Sequence, residues 1–179
     1  LFFLLSLILT GSIPNKPDFQ IVFWNVHNLF DTFDDPNTFD EILSPQELTA
    51  KFENLSRIIR TFQSGKGPDI LAVCEVETLA LLEQWNKEYL SDCGYKHVLL
   101  KVPEENNARG VHCGILSRIP VLEDSTELLF PYKMGMTILY VQLQFEGDTL
   151  HLFVNHWKSR LGGIAETASK REASAKVLR

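Results

Sequence analysis

Three apolar runs of the chain each break into a residue able to do chemistry: "DFQIVFWNV" contains Asn25, "PDILAVCEVE" meets Glu75, and "LHLFVNHWKSR" ends in Asn155 and His156. Glu75 carries the most weight. A carboxylate at the end of an apolar run is costly unless it is solvated, paired or bound to a metal. An Asn and a Glu together offer two hard oxygens. They suit Mg²⁺, which takes one or two protein oxygens and keeps waters or phosphate oxygens for the rest. His151 and His156 lie an odd number of residues apart and point to opposite faces of a strand, which disfavours a zinc-binding His pair. His156 then stands as an acid–base or charge-stabilising group, with a hydrogen-bonded imidazole at a strand end as the plain alternative. Lys158, Arg160, Lys170, Arg171, Lys176 and Arg179 follow it against only Glu166 and Glu172. Such a basic edge beside a metal could hold a phosphate, and a solvated helix face is the other reading.

These residues need strands to carry them. In the first two runs both parities are apolar, Ile21 and Phe23 alternating with Val22 and Trp24, and Ile70, Ala72 and Cys74 with Leu71 and Val73. That pattern predicts strands buried on both faces. If neighbouring strands run the same way, their polar ends converge on one edge, where open α/β folds put their sites. Between them, "SPQELTAKFENLSRIIRTFQSGKG" predicts a helix with Ser44 as N-cap, Pro45 in its first turn and Glu47 completing a capping box. Leu48, Phe52, Leu55, Ile59 and Phe62 form its apolar stripe, and Gly65 is the expected stop.

The segment "HNLFDTFDDPNTFDEIL", with Pro36 and Asn37, reads as a long solvated acidic loop, a lid over a site being the less common use of such a run. A second helix is expected from Leu79 to Leu90, and further strands in "YKHVLLKV", "VHCGILSR", "ELLF" and "TILYVQLQF". "EGDT" then turns a hairpin into "LHLFVNH". Strand, helix, strand, helix and a run of strands predict a layered α/β sandwich: one sheet covered by helices on one face and by a second sheet on the other. The last segment, "ETASKREASAKVLR", is helix-like.

Composition bounds the rest. With 179 residues, 45% of them hydrophobic and 22% charged, the chain has room for one domain with a real core. A net charge of −6 disfavours a protein that grips nucleic acid broadly through its phosphates. The opening "LFFLLSLILTGS" matches the hydrophobic and cleavage regions of a secretory signal peptide, begun partway through, so residues 1–13 are expected to be removed and the protein exported. A membrane-tethered structural domain is the rival reading of that stretch. Cys74, Cys93 and Cys113 are too few for a disulfide scaffold and too scattered for a zinc knuckle, and at most one pair could bridge.

In this order, "FWNVHNLFD", "PDILAVCEVE", "RGVHCGILSR" and "FVNHWKSR" resemble the endonuclease/exonuclease/phosphatase family over most of the chain after the leader. The resemblance implies a domain over residues 14–179 built as a four-layer αββα sandwich, incomplete at its C-terminus. It implies hydrolysis of phosphate esters with Mg²⁺ or Mn²⁺ by in-line attack of water on phosphorus. Asn25 and Glu75 match the family's metal-site residues, and His156 the histidine that contacts the scissile phosphate. With Asn155 beside it as a catalytic candidate, Arg109, Lys158 and Arg160 are the expected phosphate-binding residues. The substrate would be a nucleic acid, a phospholipid or a sugar phosphate, acted on by a monomer without a stable protein partner. His112 stands where many members carry an Asp that orients the catalytic histidine. The family's Asp-x-Asn and Asp-His pairs are expected beyond Arg179, so residues 14–179 alone are expected to be inactive. A binding module that keeps the sandwich without the chemistry is the alternative.

Overall fold

The computed structural model describes residues 5–7, 19–36, 38–103, 109–122, 124, 126–131 and 137–179. Its first sheet has the order β1-β2-β3-β5-β4, formed by Leu5–Leu7, Ile21–Leu29, Ile70–Val76, His112–Ser117 and His97–Leu100 respectively. The central pair, β2 and β3, is parallel, and the other neighbours are antiparallel. A second, antiparallel sheet joins β6 (Glu127–Leu129), β7 (Ile138–Phe145) and β8 (Asp148–Asn155). The turn between β7 and β8 is Glu146-Gly147, both at positive φ, within the "EGDT" stretch expected to make a hairpin. Of the leader expected over residues 1–13, only the short β1 lies among the described residues.

Parallel β2 and β3 require a crossover, and α1 (Pro45–Ile59) supplies it. The capping box forms as the sequence specifies: the Ser44 hydroxyl accepts from the Glu47 N–H, and Glu47 Oε2 accepts from the Ser44 N–H at 2.8 Å. The helix stops earlier than Gly65, however. Arg60 caps it, and its guanidinium is drawn across to the Tyr89 carbonyl and Asp92, after which the chain makes a short 3-10 turn at Gln63–Gly65.

With α2 (Leu79–Tyr89), α1 covers one face of the first sheet. Phe52, Ile59, Leu82 and Trp85 meet Trp24, Val73 and Leu116 there. The buried Trp85 indole donates to Ser56 Oγ at 2.9 Å, which satisfies both polar atoms inside the layer. The opposite face carries Ala72, Cys74, Cys113 and Ile115 against Leu139, Val141, Leu143 and Val154 of the second sheet. This is the α/β sandwich expected from the sequence. The remaining helix, α3 (Ala168–Val177), follows the second sheet, and of its residues only Ser174 is buried. The second sheet's far face carries the stacked rings of Tyr140, His151 and Phe153, with Phe153 still 41% exposed.

The two candidate strands differ. Every residue of β3 is buried, as its two apolar parities require. In β2 only the helix-facing Val22, Trp24 and Val26, and Leu29 at its end, are. Ile21 and Phe23 stay half-covered because they line an open slot with Ala72, Leu152 and Val154 at the margin between the sheets. No helix among the described residues is long and apolar enough to cross a membrane.

Candidate active site

The strand ends are shaped by two bulges side by side. From Ile21 opposite Ile70 to Asn25 opposite Cys74 the parallel pair is regular, and the next paired residues are Leu29 and Val76. Three residues of β2 therefore face the single Glu75 of β3. His27 and Asn28 each have φ 57°, and Glu75 has φ 65°, the left-handed region that side chains avoid at roughly 1–3 kcal/mol each. Bulges of this kind re-aim side chains beside active sites. Polar contacts hold the distortion: Lys51 of α1 donates to the His27 carbonyl and, at 2.6 Å, to that of Asn28. The His27 N–H donates to Asn25 Oδ1 at 2.8 Å, and the Asn28 N–H to Glu75 Oε2 at 3.0 Å.

Around Glu75 the cationic groups gather. His156 Nε2 lies 3.2 Å and Arg109 3.5 Å from Glu75 Oε1. Arg109 also donates to Asn28 Oδ1. Burial pushes the Glu75 carboxyl up, but hydrogen bonds from His156 and Asn25 and the charges of His156 and Arg109 outweigh it and hold the group down at about 2. The carboxylate is ionised at any physiological pH. An ionised, nearly buried carboxylate beside an amide is a donor set that fits a hard divalent cation. Among the described residues no group of three His, Cys, Asp or Glu side chains is placed to hold a metal ion.

The structure thus brings Asn25, Glu75, Arg109 and His156 together. It does not bring in Asn155, whose amide donates to the Phe153 carbonyl at 2.8 Å and whose oxygen accepts from Trp157 Nε1 at 3.2 Å. Lys158 is half-buried and Arg160 exposed, and neither makes a hydrogen bond or ion pair with Glu75 or His156 among the described residues. His112 is buried opposite Val76 and makes no hydrogen bond to His156. Burial pushes its pKa down to about 4, which keeps the ring neutral near pH 7. His156 is therefore held through Nε2 by Glu75, and its buried Nδ1 has no partner among the described residues.

Three participants escaped sequence reasoning: Asn28, Lys51 and Glu77. Lys51 left a signal, a cation at the edge of the helical stripe between Leu48 and Leu55, where burial now lowers its pKa against the charges of Glu41 and Glu75. Glu77, 7% exposed, accepts the Asp31 N–H at 2.6 Å and so anchors the acidic loop. That loop closes on itself through the Leu43 N–H to the Asp31 carbonyl, 2.9 Å, and a Cβ on Gly110 would stand 3.0 Å from the Thr38 methyl. The loop is thus fastened at the rim of the site.

Burial pushes the Glu77 carboxyl up, the Asp31 N–H opposes this, and the charges of Asp31, Asp40 and Asp35 raise it further, to about 7. With a folded pKa above the ordinary 4.5, Glu77 contributes stability that is complete below about pH 4.5 and is lost as pH rises through about 7. Glu77→Gln keeps the acceptor for Asp31 and removes the buried charge. It is expected to stabilise the fold by about 1–3 kcal/mol at pH 8 and to have little effect at pH 5. Urea denaturation at the two pH values checks this, and an equal effect at both would refute it.

A profile of the endonuclease/exonuclease/phosphatase family matches residues 20–179. The chain belongs to that family. Among solved structures, D. rerio TDP2 complexed with a single-strand DNA product matches with a TM-score of 0.59 at 18% identity, covering 88% of this chain and 52% of its own. TDP2 from C. elegans matches with a TM-score of 0.57 at 18% identity, covering 88% and 40%. A family protein from Beutenbergia cavernae gives 0.56 at 19%, covering 88% and 42%. The chain spans about half or less of the length of these solved structures. None of the curated proteins compared with it matches significantly. At these identities the likeness to solved structures establishes the shared fold, and the family sandwich is the one described above.

Proposed function

We propose that this sequence carries part of a divalent-metal-dependent phosphoesterase, with Mg²⁺ or Mn²⁺ held through Glu75 and Asn25. The observation that carries the reading is the convergence of Glu75 with Asn25, His156 and Arg109 at two strained bulges. Each element alone has a structural use. Together they put one ionised carboxylate, a guanidinium and an imidazole at a sheet edge, the arrangement a phosphate ester and its counter-ion need.

When bound, the cation supplies Lewis-acid polarisation of a phosphoryl oxygen. The chain's own residues do the rest. His156 and Arg109, now turned to Glu75, donate to the equatorial oxygens of a phosphate brought beside it and offset the charge that builds there. Lys51 and the Asn28 N–H hold Glu75 at its angle, so that little reorganisation is left for the reacting state. Lys158 and Arg160 extend the anion-binding edge toward the rest of the substrate.

The nucleic-acid arm of the substrate class is the first to try, since D. rerio TDP2 was solved with a single-strand DNA product. The net charge of −6 suits a few phosphates at a strand end better than a long grip on a duplex. The test uses the full-length protein that contains this sequence. Phosphodiester hydrolysis is expected with Mg²⁺ or Mn²⁺, abolished by EDTA and restored by either metal. Turnover that survives chelation, or none with any metal on oligonucleotide, phospholipid or sugar phosphate, would overturn the proposal. Residues 14–179 alone are expected to bind Mn²⁺ weakly and to turn nothing over.

A further inference from the structure

We propose that Cys74 and Cys113 are a disulfide site, a bond that would staple β3 to β5 beside Glu75. The two residues are directly opposite each other in the antiparallel β3/β5 pair. Directly opposed residues in such a pair have Cα atoms roughly 4.5–5.5 Å apart, inside the range of about 4.4–6.8 Å that a disulfide spans. Both side chains lie on the same face, in the apolar layer between the sheets, and the thiols interact electrostatically.

The pairing is also unique. Cys93 belongs to the helix side of the first sheet, with its sulfur 3.6 Å from where a Cβ on Gly67 would stand, so the sheet itself separates it from the other two. All three are free thiols in the structure, which is the reduced state of the proposed site.

Position gives the bond its consequence. Cys74 opposite Cys113 is the last regular rung of this strand pair before the bulge that turns Glu75 outward. A covalent tie there fixes the register of the strand just as it enters the site. Both thiols are buried in the folded protein, out of reach of an oxidant in solution. Oxidation therefore belongs to folding, while the strands still open, with a small-molecule disulfide such as oxidised glutathione as oxidant. One protein thiolate attacks a glutathione sulfur and expels one glutathione thiolate. The second protein thiolate then attacks the mixed disulfide and expels the other, so two protein thiols and one oxidised glutathione give one protein disulfide and two reduced glutathiones.

The 179-residue chain, refolded from the reduced, unfolded state in a glutathione redox buffer, is the material for the test. Alkylation followed by mass spectrometry is expected to find one blocked thiol, at Cys93, and a proteolytic peptide linking the segments of Cys74 and Cys113. Cys113→Ala should then show two alkylated thiols and no intramolecular bridge, and Cys93→Ala none alkylated with the bridge retained. Copper–phenanthroline oxidation of the purified reduced chain in sub-denaturing urea, where the strands open transiently, gives a second reading that does not depend on refolding, and the same linked peptide is expected. Three alkylated thiols in both experiments, or a bridge that includes Cys93, would overturn the proposal.

Discussion

Glu75→Gln is expected to cut metal-dependent turnover by roughly a thousandfold or more in the full-length protein. The figure follows from the several kcal/mol of charge stabilisation that a catalytic metal supplies, at about 1.4 kcal/mol for each factor of ten. Glutamine retains an oxygen for the Asn28 N–H, which now donates to the carboxylate at 3.0 Å, so the bulge keeps its internal bond. What disappears is the negative charge that faces His156 and Arg109 and, in the proposed function, the metal. Two measurements separate this from simple misfolding. Mn²⁺ binding followed by electron paramagnetic resonance should weaken sharply in the variant, while its thermal transition stays cooperative. Glu75→Asp, which keeps the charge on a shorter arm, should recover part of the activity. Turnover within threefold of the parent in Glu75→Gln would remove Glu75 from the metal site altogether.

The same carboxylate sets an acid limit. Its pKa is held at about 2, below the ordinary 4.5, so its contribution to stability is complete above about pH 4.5 and is lost as pH falls through about 2. Glu77 acts in the opposite sense over a higher range. Two glutamates two residues apart, one near the end of β3 and one just past it, are thus driven apart by their neighbours, His156 and Arg109 around Glu75 and carboxylates around Glu77. Sequence spacing alone carries no such distinction.

Periodicity made much of the architecture legible, because burial enforces it. The capping box of α1, the all-buried β3 and the hairpin at Glu146-Gly147 each follow from local residue chemistry that the tertiary structure leaves in place. The half-exposed face of β2 did not follow, since its cover depends on what lies across the slot from Ile21 and Phe23. The polar residues at the strand ends were legible as types, and Asn25, Glu75, Arg109 and His156 do meet. How they meet was not. The double bulge is made by His27, Asn28 and Glu75, which have none of glycine's freedom at positive φ, so no residue marked it. Asn155 shows the converse: a residue one position from His156 is spent on the Phe153 carbonyl and on Trp157.

At the opposite end of the first sheet, Arg118 is the residue whose loss should cost the fold most. It follows β5 directly and closes a knot of chain turns. Its Nε donates to the Cys93 carbonyl at 2.7 Å, and its terminal nitrogens to Gln63 Oε1 at 2.8 Å, Asp69 Oδ1 at 3.1 Å and the carbonyls of Gly67, at 2.8 Å, and Lys66. The guanidinium also lies 5.4 Å from the centre of the Tyr95 ring. Asp69 in turn accepts from Gln63 Nε2 and from the Gln20 N–H, which fastens the start of β2. Arg118→Ala would strip three backbone carbonyls, the Gln63 amide oxygen and a carboxylate of their donor at once. Partial exposure of the pair tempers the penalty, and a loss of about 2–4 kcal/mol is expected by urea denaturation. Arg118→Lys should recover less than half of it, because an ammonium cannot reproduce the planar fork that reaches both loops. A loss below about 1 kcal/mol would reduce the cluster to an ordinary surface ion pair. Because Ser117 pairs with Ile70 at the far end of β3 from Glu75, the folded fraction of Arg118→Ala should still bind Mn²⁺ with the parent's affinity. That outcome would show that the knot holds the sheet together without tuning the site, which the two bulges and Lys51 govern on their own.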